Sequence, residues 1–350
     1  MTVKEKAELI VKDIKKEREN KRMNLLTGQY RQLTLAYPAT FFWKKLSSLW
    51  RVWGITSQLE KEGIELFHGL SNELPLNIHK SRIKSIVTIH DLIFLRYPQY
   101  YQSIDRKIYT YKFRKACENA DKIIAISECT KRDIIRYFNI PDDKIEVVYQ
   151  GCDVSFTHPV TEEKKEEVRK KYQLPDHYRL NVGSIEERKN ILAAVQALPM
   201  LPQHIHIVIV GGRTGCTEKV EQFIKDNGLG ERVHIISNVP FNDLPAFYQS
   251  AEIFVYPSRF EGFGIPIIEA LYSGTPVVAA TGSCLEEAGG PDSIYVNPDD
   301  ITGLADAFKQ IYSNSDKRKN MVEKGREFAK RFSEKQQSEE IINIYKKLIR

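Results

Sequence analysis

The stretch Tyr256-Pro-Ser-Arg-Phe-Glu-Gly-Phe-Gly-Ile-Pro-Ile-Ile-Glu269 decides how this chain folds. It leaves the β-branched and aromatic run Ile253–Tyr256, which reads as a strand, and runs into Pro266–Ser273, which reads as a helix. A second strand-like run, Pro276–Ala279, comes next. Strand, glycine turn, helix and strand make the βαβ unit of a parallel sheet. Gly262 and Gly264 tolerate backbone angles and close approaches that other residues do not. Proline suits the first helical position, where its missing N–H is one the helix leaves unpaired. The N–H groups of Phe263, Gly264 and Ile265 then point out of the helix start, a setting for a diphosphate. Glu269, placed in the first turn, suits a pair of neutral hydroxyls such as a ribose diol, and Glu261 is a second carboxylate beside the same ligand. Spacing alone leaves a plain alternative open, a Gly/Pro turn with solvated glutamates.

Outward from this unit the same alternation continues. Strand-like runs precede it at Ile64–His68, Ile86–His90, Ile123–Ile126, Ile145–Val148, Leu180–Val182, Ile205–Val210 and Val233–Ile236, and Ile294–Val296 follows. Helical patterns lie between many of them, at Tyr100–Asn119, Glu128–Phe138, Glu162–Tyr172, Asn190–Leu198 and Glu218–Asn227. Ser127 is well placed to cap the second of these helices. Two βαβ series meet near Gln150–Pro159. The expected fold is therefore α/β, with two facing Rossmann-like, doubly wound domains. Residues 1–153 form the first domain and 154–330 the second, and a C-terminal helix over 331–350 crosses back to the first. Such sheets bind ligands at the carboxyl ends of their strands, in the cleft. Arg188 and Lys189, just past Leu180–Val182, reach that cleft, as does His90 at the end of a strand of the first domain. Asn238 follows Val233–Ile236, near where a nucleotide base would rest.

Composition excludes other classes. The chain has 350 residues, 42% of them hydrophobic and 28% charged, which is ordinary globular usage and fits two domains. Five cysteines with no CxxC read as reduced thiols, and the N-terminal MTVKEKAELIVKDIKKEREN lacks the apolar centre of a signal peptide. No run of 18 apolar residues is present. A cytoplasmic protein is expected. Residues 1–150 carry 27 Lys/Arg against 18 Asp/Glu, while the rest carry 25 against 28, so the excess of +6 belongs to the first half. Between Arg31 and Gln58 there is no acid, and Trp43, Trp50 and Trp53 lie there beside Lys44, Lys45 and Arg51. Phe42, Leu46, Leu49, Trp50 and Trp53 share one helical face of Phe41–Ile55, which fits either an interfacial helix or a core helix, with core favoured. The basic half favours an anionic partner, but no nucleic-acid recognition motif accompanies it. Gly211-Gly-Arg-Thr-Gly215 lacks the GxGxxG spacing of a dinucleotide-binding turn. No Asp-x-Asp occurs for a divalent metal, so no metal or other cofactor is expected.

Taken together, Glu261-Gly-Phe-Gly-Ile-Pro-Ile-Ile-Glu269 with its following Ala-Leu-Tyr-Ser-Gly-Thr-Pro-Val-Val, Leu180-Asn-Val-Gly-Ser-Ile-Glu-Glu-Arg-Lys-Asn190 and Val87-Thr-Ile-His-Asp-Leu-Ile93 resemble, in order, the motifs of family-four retaining glycosyltransferases of GT-B fold. The likeness is greatest to the bacterial mannosyltransferase-like group of surface-polysaccharide assembly, and it covers roughly residues 60 to 330. It implies a nucleotide-sugar donor held by Gly183, Ser184, Asn238, Gly262, Phe263, Gly264, Ile265 and Glu269. It implies catalytic roles for His90, which would meet the donor sugar, and for Glu261, Arg188 and Lys189. Arg188 and Lys189 take the place of a metal at the leaving diphosphate. The acceptor is a glycan or lipid-linked molecule, which adds a peripheral contact with the inner face of the membrane. Ser184 stands where relatives often have arginine. The opening strand and glycine-rich loop of the family have no counterpart in residues 1–30, which leaves a second reading, a donor-binding or scaffolding subunit that has lost turnover.

Overall fold

Strands covered on both faces read as unbroken apolar runs, and those runs became the parallel strands of this protein. The computed structural model describes residues 8–9, 34–35, 38 and 41–349. Its strands are β1 (Glu8–Leu9), β2 (Thr34–Leu35), β3 (Leu66–Gly69), β4 (Lys84–Ile89), β5 (Lys122–Ala125), β6 (Ile145–Val147), β7 (Tyr178–Val182), β8 (His206–Val210), β9 (Val233–Ile236), β10 (Ile253–Tyr256), β11 (Val277–Ala280) and β12 (Ile294–Val296). The chain divides into two compact units, residues 1–65 with 74–83 and residues 66–73 with 84–350.

The larger unit holds both main sheets. One has the order β3-β4-β5-β6 and the other β12-β11-β10-β7-β8-β9, every pair parallel. In the six-stranded sheet the chain winds from β7 outward through β8 to β9, then returns to the other side of β7 and winds outward through β10 to β12. The order therefore reverses between β7 and β10. In sheets of this kind ligands bind at the carboxyl ends of the strands where the order reverses.

Period-two alternation divides the core. Val208, Val210, Phe254, Tyr256 and Ile268 pack on one face of the sheet, and Ile207, Ile209, Ile253, Val255 and Val278 on the other. Each such fully buried side chain stabilises the fold by about 1.5–3 kcal/mol. At the C-terminus, Ile344 of the helix Glu334–Ile349 packs with Ile86 and Ile124 of the four-stranded sheet and with Val148 just past β6. Tyr345 Oη lies 2.6 Å from His68 Nδ1 in the same region.

The smaller unit departs from the sequence reading. Phe41–Ile55 is not one continuous helix, because a π-turn at Trp50–Gly54 separates Phe41–Lys45 and Ser47–Leu49 from Ile55–Lys61. The wider turn rotates the faces apart. Trp50 is 3% exposed and Trp53 49%, while Phe41, Leu46 and Leu49 are also exposed. The core reading holds for Trp50 and not for its neighbours; the Phe42 side chain lies outside the described residues. The opening strand and glycine-rich loop sought in residues 1–30 fall, apart from Glu8–Leu9, outside them as well.

Candidate functional site

The turn after β10 is shaped by what presses on it. A Cβ on Gly262 would lie 2.2 Å from the His90 carbonyl oxygen, so only glycine lets this turn approach the end of β4 so closely. Gly264 has φ +139° and precedes the helix Ile265–Ser273. Pro266 therefore occupies the second helical position rather than the first, and Glu269 lies in the second turn, not the first. At the helix start Ile267 N donates to the Gly264 carbonyl at 2.9 Å and Pro266 has no N–H, which leaves those of Gly264 and Ile265 without an intrahelical acceptor. The buried Cys284 thiol pins the turn, donating to the carbonyls of Glu261 (3.0 Å) and Phe263 (2.7 Å). Nothing in the sequence pattern marked Cys284.

Across the reversal point, the loop after β7 brings cations to the same turn. Arg188 Nη1 is 2.7 Å from Glu261 Oε2 and donates to the Phe260 carbonyl at 2.6 Å. Glu261 also accepts from Ser258 Oγ (2.8 Å) and Tyr256 Oη (3.1 Å), so its carboxylate is fixed from three sides. Lys189 Nζ lies 5.9 Å from the centroid of the Tyr256 ring, and a Cβ on Gly183 (φ +149°) would come within 2.9 Å of it. Ser184 Oγ donates to Glu186, whose other oxygen is 3.4 Å from Arg188 Nη2. Arg188 is thus shared between two carboxylates, a pairing that sequence position alone did not reveal. Glu269 accepts from Tyr248 Oη at 2.6 Å, and burial pushes its carboxyl up to about 7, with Asp153 adding to the rise. Asn238, exposed at φ +59°, stands apart at the end of edge strand β9, two strands from β7.

The four-stranded sheet supplies the facing wall. His90 N donates to Asn72 Oδ1 (2.8 Å), and its Nε2 donates to the Leu70 carbonyl (2.8 Å). A carbonyl only accepts, so Nε2 carries a proton. Asp91, which the sequence reading passed over, has its carboxyl raised by burial, and Arg188, Glu261 and His90 all act on it. Ser127 caps the helix Glu128–Phe138 by accepting from Thr130 N (3.0 Å), as its position led one to expect, and its hydroxyl donates to the Gly262 carbonyl (2.8 Å). Among the described residues no group of three or more His, Cys, Asp and Glu side chains could hold a metal ion.

Comparison with known proteins matches two family profiles to the chain. The profile of the family described as Glycosyltransferase Family 4 matches residues 15–156, and that of Glycosyl transferases group 1 matches residues 162–328. O-antigen chain mannosyltransferase B of Escherichia coli is 31% identical over 289 residues, covering 81% of this chain and 74% of that one. O-antigen chain mannosyltransferase RfbU of Salmonella typhimurium is 29% identical over 64% of this chain, which spans 60% of its length. Among solved structures, a glycosyltransferase from Rickettsia africae superposes with TM-score 0.76 at 22% identity, covering 93% of this chain and 88% of that one. Anabaena HepE in complex with UDP superposes with TM-score 0.77 at 17% identity, covering 93% and 90%. Likeness at these identities shows the fold.

Proposed function

The chain belongs to the group 1, family 4 glycosyltransferases, and from that premise we propose that it moves a hexose, mannose foremost, from a nucleoside-diphosphate sugar to a glycan or lipid-linked acceptor in surface-polysaccharide synthesis. One observation carries the reading: Arg188, Lys189, Glu261 and the start of the helix Ile265–Ser273 gather where the strand order reverses between β7 and β10. The UDP held by a protein of this fold supports a nucleotide there. As the sugar–phosphate bond breaks, the leaving diphosphate gains negative charge. Arg188, Lys189 and the N–H groups of Phe263, Gly264 and Ile265 stabilise it, beside Gly183 and Ser184. Glu269 accepts from the ribose diol and Asn238 lies toward the base. Glu261 orients Arg188 and meets the sugar, which His90 contacts from the other wall. Transfer proceeds on the front face with the anomeric configuration retained. Residues 1–153 form the acceptor side, 154–330 the donor side, and 331–350 the closing helix. No observation favours a subunit without turnover.

The test is turnover of a panel of nucleotide sugars, with and without a lipid-linked acceptor. Lys189→Ala and Glu269→Ala should each lose about 2–4 kcal/mol of transition-state stabilisation with the fold intact, and EDTA should leave the rate unchanged. No turnover of any nucleotide sugar defeats the proposal.

A membrane contact at the inner face is part of the same proposal. Phe41, Leu49 and Trp53 are exposed beside Lys44, Lys45 and Arg51, in a stretch without acids. Among the described residues no helix is long and apolar enough to cross a membrane. Basic residues near an anionic leaflet each contribute about 1 kcal/mol, so salt-reversible attachment is expected. Co-sedimentation with anionic liposomes at low salt, lost on charge reversal of Lys44, Lys45 and Arg51, tests it. No binding at low salt defeats it.

A further inference from the structure

The first N–H groups of a helix lack partners within it, so each must find one elsewhere. At the start of Glu128–Phe138, Thr130 N donates to Ser127 Oγ, the helix's own cap. Glu128 N and Cys129 N donate instead to Glu287, at 2.7 Å to Oε2 and 2.8 Å to Oε1. Glu287 comes from the helix Leu285–Gly289, which follows β11 of the other sheet and lies 159 and 158 residues away in the chain. A carboxylate at a helix N-terminus is favoured by the dipole, and its bonds to N–H groups are charge-assisted. Arg132 Nη2 stands 3.7 Å from the same carboxylate. Tyr149, whose hydroxyl is pushed up mainly by burial and also by Glu287, stacks its ring on Phe263 at 5.3 Å and 17°. The Glu287 side chain is only 16% exposed.

The helix start held in this way is also the one tied to the donor turn. Ser127 Oγ donates to the Gly262 carbonyl, and Gly262 packs against the His90 carbonyl with no room for a Cβ. We propose that Glu287 is a positioning residue for transfer. It locks the start of Glu128–Phe138 so that the Gly262 turn, with Glu261 and Arg188 behind it, keeps one fixed spacing from His90. The proposal rests on the glycosyltransferase reading, and adds to it a residue that touches neither donor nor acceptor.

Glu287→Ala removes both acceptors, whereas Glu287→Gln keeps the size and one good acceptor without the charge. In the unliganded full chain, hydrogen exchange of the segment holding Glu128 and Cys129 should speed at least tenfold in Ala and less in Gln. With a turned-over nucleotide sugar, kcat should fall tenfold or more in Ala and by an intermediate factor in Gln, while KM for the donor stays within twofold. A merely structural cap would lower thermal stability and donor affinity together, and that result overturns the proposal. Wild-type kcat in Glu287→Ala overturns it too, as does unchanged exchange. A wild-type chain that turns over no nucleotide sugar would instead sink the transfer reading, and the exchange experiment would still uphold or overturn the lock.

Discussion

Replacing Gly262 with alanine puts a methyl group where two loops already touch. Its Cβ would stand 2.2 Å from the His90 carbonyl oxygen and 3.1 Å from Asp91 Cβ, whereas real Cβ contacts essentially never fall under 3.0 Å. The nearer obstacle is backbone at the end of β4, not the tip of a flexible side chain. The loops must therefore part by about 0.8 Å, and overpacking of this kind costs about 1–3 kcal/mol. Alanine also removes freedom from the unfolded chain, which stabilises by about 0.4–1 kcal/mol. The clash is the larger effect, so a net loss of about 1–2 kcal/mol is expected. Activity should suffer more than stability. A misplacement approaching 1 Å beside reacting groups costs up to about 100-fold, and Gly262 sits between His90 on one wall and the Arg188–Glu261 pair on the other. Thermal denaturation and kcat on the same preparations make the assay. Gly212→Ala serves as the control, because a Cβ there meets open space within the loop after β8. A Gly262→Ala protein with wild-type melting temperature and kcat would refute the claim that the two loops are in contact.

Two further predictions concern charge. Glu269 is held up at about 7 by burial, against an ordinary 4.5, and only its ionised form accepts from both hydroxyls of a diol, so donor affinity should rise as pH climbs through 7 and Glu269→Gln should flatten the profile. The stability sign is opposite: a carboxyl raised in the folded state contributes its stability in full below about 4.5 and loses it as pH rises to about 7, so wild type should lose stability relative to Glu269→Gln across that window and no further above it; a difference independent of pH would count against the burial. Arg188 and Glu261 are paired with side chains 15% and 14% exposed, so removing Arg188 strands Glu261 at about 3–5 kcal/mol, while Arg188 without Glu261 keeps Glu186 and costs less. The double variant should lose less than the sum, with a coupling above about 1 kcal/mol by denaturant titration, and zero coupling would dissolve the pair.

How far the sequence could be read follows from which forces are local. The parallel strands were legible because burial on both faces demands continuous β-branched runs, and Ile253–Tyr256 and Val233–Ile236 occupy the positions those runs dictated. Helix ends were legible where a cap sits next to the helix. Ser127 and Thr161 each accept from the N–H three residues on, and Asn139 and Gln173 close the same helices in the left-handed conformation. That Arg188, Lys189 and Glu261 emerge past the ends of β7 and β10 followed from topology. Their mutual arrangement did not follow, because position after a strand does not tell whether a cation faces a ligand or a carboxylate two strands' loops away. Trp50 and Trp53 parted because a π-turn adds one residue to a turn, and no composition signal announces it. Cys284, Asp91 and Glu287 were invisible for a common reason. Each acts through a contact with residues far along the chain, and a lone residue has no period. Glu287 is the extreme case, since its only trace in the sequence is a helix start with two more N–H groups than its own cap satisfies. Every capped helix carries that deficit, so only the three-dimensional accounting shows that at Glu128 and Cys129 it is made good from 158 residues away.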